Sequence, residues 1–342
     1  MVANRVQRAP GGAETPAVVA AARDGDETAF TALLERHRRE LQLHCYRMLG
    51  SLEDSEDLVQ ETFLRAWRAR ASFEGRSSFR AWLYRIATNA CLDALARRPR
   101  APAPAGGDRP LAEVSWLQPY PDDLLEGVVS GDDEPDAQVV ARETIELAFI
   151  AAIQLLPPRQ RVALIARDVL GWSAAESAAL LDVSVAALNS ALQRARATLR
   201  ERLPRGRLDW APDTDPTEEE RALVERYIEA SEHGDPAAMV ELMREDAFFA
   251  MPPQPLSVVG SKAIVAAWVE GGFGSDMWGV LKCVPVKANK QPAVAFYVRR
   301  PGESEYRPLA LDVLRMEEGA IAEIIAFELE PLLDALDLPA TL

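Results

Sequence analysis

Four side chains early in the chain share a helical spacing and a common chemistry. Asp57, Gln60, Glu61 and Leu64 stand at i, i+3, i+4 and i+7, so a helix through residues 54–70 carries them as one stripe. Two carboxylates, an amide and an aliphatic tip suit docking onto a partner, and equally suit a solvated acidic face. On the next stretch Arg85, Asn89, Asp93 and Arg97 recur every four residues. That strip serves internal ion pairing, or it meets DNA phosphates and unstacked bases beside the rings of Phe73, Phe79 and Tyr84. Farther on, Arg194, Arg196, Arg200 and Arg202 crowd one predicted helix, a pattern suited to phosphate contact.

Composition narrows the classes. The 342 residues, 48% of them apolar, allow two or three domains with cores of their own. No apolar run reaches the ~20 residues of a membrane span, and the first fifteen residues lack a signal-peptide layout, so a cytoplasmic protein is expected. Cys45, Cys91 and Cys283 are far apart and form no CxxC pair, and there are three histidines; no metal, cofactor or disulfide framework is expected. Net charge is −15, so any DNA-binding surface is local: arginines gather at 65–70, 97–100 and 194–207, acids at 122–136 and through the last third.

The elements that must position these groups follow from periodicity and punctuation. Residues 15–98 read as helices only: one beginning at Pro16 after a Thr15 cap, one over 27–49 stopped by Gly50, one opening at 51–56, and one capped by Ser77 and running to Arg98. Residues 99–138, rich in proline and then in acids, read as a linker without a packed core. A second helical block spans 139–203. Within it Ser173 and Glu176 form a capping box, and Asp182-Val183-Ser184 turns into a helix capped by Ser184, the outline of a helix-turn-helix. After a linker over 204–216, residues 217–333 begin with helices at 217–233, 236–244 and 261–270. An antiparallel meander follows at 281–288, 293–299, 307–316 and 320–329, giving an α+β domain.

The stretches HCYRMLGSLEDSEDLVQETFLRAWRA and SSFRAWLYRIATNACLDALARR resemble region 2 of extracytoplasmic-function (ECF) sigma factors. LPPRQRVALIARDVLGWSAAESAALLDVSVAALNSALQRARATLRERL resembles their region 4. The resemblance implies a helical bundle and a helix-turn-helix, with core RNA polymerase (β′ and β subunits) and promoter DNA as partners. It places Asp57, Gln60, Glu61 and Leu64 on polymerase. It also places Phe73, Arg76, Phe79, Arg80, Tyr84, Arg85, Asn89, Asp93 and Arg97 on the −10 element, where an extruded base is captured. The acidic segment 122–136 would run toward the polymerase active centre, or be a plain tether. The helix from Ser184 would enter the major groove at −35 with Val185, Ala186, Ala187, Asn189, Ser190, Gln193, Arg194 and Arg196. Many such factors carry basic residues where this chain has Asn189 and Ala191, which implies thinner phosphate contact here.

Residues 217–333 resemble the SnoaL-like branch of the NTF2-like fold, and the Asp337-Leu338-Pro339 segment fits the sigma-G type. In that fold a curled sheet forms a cone around a pocket, implying a small-ligand site at Trp268, Trp278, Phe296, Tyr297, Asp312 and Phe327, with 251–253 at the mouth. Asp312 would be a general base if held in an apolar pocket. As a lone acid in a strand it is expected to face solvent, and no catalytic residue is assigned. The expected function is a sigma factor controlled in cis by its C-terminal domain. The alternatives are a helix-turn-helix regulator with a ligand-sensing domain, which has no use for the 57–64 stripe, and a cyclase or isomerase fused to a DNA-binding module.

Overall fold

The computed structural model describes residues 16–75, 77–98, 111, 113–125, 145–203, 217–254, 256–276 and 278–342. The first block holds α1 (Pro16–Arg23), α2 (Glu27–Leu49), α3 (Leu52–Ala69) and α4 (Phe79–Arg97). Local capping sets these bounds: Asp26, Ser51 and Ser78 each accept a bond from a first-turn amide. The cap of α4 is therefore Ser78, one residue beyond the expected Ser77. The Thr15 cap lies outside the described residues.

The second block holds α5 (Leu147–Gln154), α6 (Pro158–Leu164) continued by a π turn at Ile165–Val169, α7 (Ala174–Leu181) and α8 (Val185–Arg202). The Ser173–Glu176 capping box forms as expected, and Asp182 takes the left-handed conformation (φ 53°) that ends α7. In the third block α9 (Glu218–Glu232), α10 (Pro236–Leu242) and α11 (Ser261–Glu270) cover one face of a six-stranded sheet. Its order is β2-β1-β6-β5-β4-β3. The four expected strands are β3 (Val280–Ala288), β4 (Gln291–Arg299), β5 (Arg307–Glu317) and β6 (Ala320–Glu328). Two more, β1 (Met243–Ala250) and β2 (Ser257–Val259), extend the meander, with β1 parallel to β6. The helix expected over 236–244 stops at Leu242, and β1 begins at once.

The reading of 99–138 as a linker without a packed core needs a correction over its described residues, 111 and 113–125; 99–110 and 112 lie outside them. Leu111, Val114, Leu117, Tyr120 and Leu125 are buried in the same cluster as the helical blocks. Proline and acid content had suggested a tether, but five apolar anchors at irregular spacing bury enough surface to fold it. Asp122 is buried too, paired with Lys290; residues 126–144, including most of the acidic run, lie outside the described residues. So does the linker 204–216.

The blocks meet at the C-terminal end of α2. A helix leaves its last four carbonyls without intrahelical donors, and here other parts of the chain supply them. Arg47 O accepts from Gln154 Nε2 (3.0 Å), Met48 O from Arg161, Leu49 O from Trp116 Nε1 (2.9 Å) and Gly50 O from Gln118 N (2.9 Å). Gly50 (φ 72°) closes the helix, and a Cβ there would stand 3.1 Å from the Gln154 side chain. The second block thus seats on the first directly.

Candidate polymerase and nucleic-acid interfaces

α3 buries Leu52, Ser55, Val59, Thr62 and Ala66 and turns the expected stripe outward. Asp57 and Gln60 are exposed, and Leu64 is 53% exposed. Glu61 is half-buried and accepts from Arg65 Nε (2.7 Å); Arg65 also reaches Asp93 on α4 (2.8 Å). The internal-pairing reading therefore holds for Asp93, whereas Arg85, Asn89 and Arg97 face solvent.

A cleft of about 420 Å³ opens where the α3–α4 connection meets α4. Phe73, Trp82 and Ile86 form its apolar wall, with Ser77, Arg85 and Asn89 at the rim. Phe73 and Trp82 pack with centroids 5.3 Å apart, and Phe79 stands edge-on behind Phe73 at 5.5 Å. Aromatic rings beside polar groups suit an unstacked base. Trp82 and Ile86, four residues apart on α4, are half-buried and so reach the cleft.

Two expected DNA-contacting rings are internal. Phe79 is buried against Phe30 and Trp82. Tyr84 is 2% exposed, its ring 5.2 Å from Trp172 of the second block and its hydroxyl donating to Glu40 (3.3 Å). Arg80 donates to the same Glu40 (2.7 Å) and lies over the Tyr84 ring. The second block covers this face of α4, a contact the periodicity of α4 alone does not reveal. Arg76 lies outside the described residues.

On α8, Leu188, Leu192, Ala195 and Leu199 point inward. Val185, Ala186, Ala187, Asn189, Ser190, Gln193 and Arg194 form an exposed face, as the spacing predicts. Ser184 caps the helix through its Oγ. Arg196 is exposed but engaged by Asp168 through two bonds (2.6 and 2.9 Å), which fixes α8 against the π turn.

The C-terminal pocket differs from its expectation. Strand alternation sends Phe296 to the helix-covered face, where Trp268 of α11 packs, but Tyr297 and Phe327 to the other face, in the cluster shared with the helical blocks. The cone interior is filled: Trp268 packs on Phe249 and Phe273, and Phe296 on Tyr227. Asp312 does not face solvent. It is 7% exposed, accepts from Tyr227 Oη at 2.7 Å, and burial pushes its carboxyl up to about 6 against the opposing pull of that bond. Met251 packs at the edge of the same core. A cavity of about 440 Å³ opens at the rim between 231–234, 273–276, 278–281 and 299–303; of the expected pocket residues, Trp278 lines it.

Among the described residues no group of His, Cys, Asp and Glu could hold a metal, and no helix is long and apolar enough to cross a membrane.

Comparison with known proteins matches this architecture block by block. Family models for sigma-70 region 2, sigma-70 region 4 and a SnoaL-like domain match residues 33–101, 146–199 and 224–324. The ECF RNA polymerase sigma factor SigG of Mycobacterium tuberculosis is 44% identical over 310 residues, 87% of this chain and 80% of SigG. SigW of Bacillus subtilis is 30% identical over 179 residues, 52% of this chain and 91% of SigW. The crystal structure of the M. tuberculosis ECF factor SigJ shares the fold with a TM-score of 0.57 at 23% identity, covering 90% of this chain and 99% of SigJ. With region 2, region 4 and SnoaL-like matches in this order and 44% identity to SigG over 87% of its length, this chain belongs to the ECF RNA polymerase sigma factors.

Proposed function

We propose that residues 15–98 bind core RNA polymerase through Asp57, Gln60, Glu61 and Leu64 and capture an extruded −10 base in the Phe73–Trp82 cleft. Arg85 and Asn89 hold the base edge and phosphates. The α8 face from Val185 to Arg194, within 139–203, reads −35 DNA in the major groove. Residues 217–333 act in cis on these two blocks. Asp312 is buried with its carboxylate engaged by Tyr227, which supports a regulatory rather than a catalytic role; the rim cavity at Trp278 is a place for a small ligand. A sigma factor works on DNA with polymerase, so its compartment is the cytoplasm.

The observation that carries the reading is the coexistence of open interfaces with fixed spacing. Elements centred near −10 and −35 lie about 25 base pairs apart, roughly 85 Å of B-form DNA at 3.4 Å per step. In the closed chain Tyr84, five residues or about 7.5 Å along α4 from Asn89, touches Trp172, beside the cap of α7. α7 has eight residues, about 12 Å at 1.5 Å per residue. The two DNA-facing surfaces thus lie far closer than the promoter requires, and the blocks must separate to engage both.

Two outcomes follow for the interfaces. Leu64→Asp is expected to weaken core polymerase binding about 10- to 100-fold, as loss of an interface anchor does, with the melting temperature unchanged because the side chain is exposed. Equal affinity in a binding titration would remove α3 from the interface. The pair Arg85→Ala and Asn89→Ala is expected to lower open-complex formation about tenfold while core binding is retained, since stacking and edge contacts are each worth roughly 1–3 kcal/mol. Permanganate footprinting of the −10 region reads this directly, and unchanged melting would place base capture elsewhere.

A further inference from the structure

The C-terminal block meets the rest of the chain through its sheet face and through one hairpin turn, and the turn makes the more specific contact. Asn289 and Lys290 join β3 to β4 with φ 56° and 58°, the two-residue turn that favours asparagine. Hairpin tips usually face water, yet Asn289 is 0% exposed. Its Nδ2 donates to Tyr46 Oη on α2 (2.9 Å) and to Ile145 O ahead of α5 (2.6 Å). Its Oδ1 accepts from Tyr120 N (2.7 Å), and its own N–H donates to Tyr120 O (2.8 Å). The neighbours repeat the pattern: Lys290 N donates to Asp122 (2.8 Å), and Gln291 Oε1 accepts from Leu147 N (3.0 Å).

One carboxamide therefore ties together the region 2 bundle, the segment connecting the blocks, and the start of the region 4 block. The interfaces stay open meanwhile, with Leu64, Val185 and the Phe73–Trp82 cleft all reaching solvent. We infer that the Asn289 turn is the latch of the closed form, and that the C-terminal domain restrains initiation by fixing the spacing of the two DNA-binding blocks rather than by masking them. This inference rests on the proposed assignment of those blocks to −10 and −35. Three buried side-chain hydrogen bonds, each worth roughly a factor of five, set the latch at on the order of a hundredfold in the closed-to-open ratio.

Asn289→Gly in the full chain tests it, because glycine keeps the left-handed turn and removes only the carboxamide. Hydrogen exchange at the Tyr120 and Leu147 amides is expected to accelerate about 10- to 100-fold, with the β4–β5 amides unchanged. Run-off transcription with core polymerase is expected to rise about tenfold. Tyr46→Phe, which leaves the C-terminal domain intact, is expected to give a several-fold change in the same direction in both readouts. Unchanged exchange at Tyr120 in both variants overturns the latch. Faster exchange without higher output overturns control by spacing. A wild-type chain and variant that both give no core-dependent transcript overturn the sigma assignment instead, while the exchange data still decide the latch.

Discussion

Replacing Arg161 by alanine is expected to destabilise the chain by about 3–5 kcal/mol, the range seen when a buried, multiply bonded charged group is removed. Arg161 lies on α6 and is 3% exposed. Its guanidinium donates to Met48 O at the end of α2, to the Gln154 side chain and carbonyl, and to Leu156 O. Burial draws its pKa down to about 9, so the site holds the cation only by these acceptors. Alanine leaves four oxygens without a donor at the joint between the two helical blocks. Lysine should recover less than half of the loss, because a single ammonium cannot span the planar fork of acceptors. Urea unfolding of the three proteins measures this; a cost for alanine below about 1 kcal/mol would mean that water replaces the guanidinium readily.

The second large effect concerns Asp312. Its carboxyl rises from 3.8 to about 6 on folding because it is buried, and at 1.36 kcal/mol per pKa unit this makes roughly 3 kcal/mol. A raised pKa means that the protonated form is favoured in the folded chain. Its contribution is fully present below about pH 4 and is lost as pH rises through about 6. Asp312→Asn, which still accepts from Tyr227, should therefore be more stable than the wild type by up to roughly 3 kcal/mol at pH 7 and no more stable at pH 4. Thermal unfolding of both proteins between these pH values reads the convergence; a constant difference across the range would place the carboxylate in a solvated site.

How much of this was legible in the sequence depended on how local the cause was. The capping box at Ser173–Glu176 formed as read, because both partners lie within one turn. The exposed stripe on α3 and the face of α8 likewise follow from 3.6-residue periodicity. What escaped was non-local. β1 carries Arg244, Glu245 and Asp246 at its start, which breaks any alternation, and it is a strand because distant β6 pairs with it in parallel. Tyr84 and Phe327 are internal because other blocks cover them. Asp312 is buried because Tyr227, on a helix far earlier in the chain, reaches it. The ordered segment 113–125 was hidden by its prolines and acids, although Trp116, Leu117 and Tyr120 are the residues that anchor it. For the same reason the −10 cleft was only half readable: the rim residues Arg85 and Asn89 were, but the wall made by Trp82 and Ile86 depends on which flank of α4 stays uncovered.

On this reading the ECF sigma factor engages two promoter elements by separating blocks that its C-terminal domain holds together. The most direct test is run-off transcription from a self-selected promoter with core RNA polymerase, comparing the full chain with its Asn289→Gly variant. The account predicts initiation that depends strictly on core enzyme and is about tenfold higher for the variant. Specific duplex binding by the chain alone, with no core-dependent transcript from either protein, would contradict it and point to a ligand-sensing helix-turn-helix regulator.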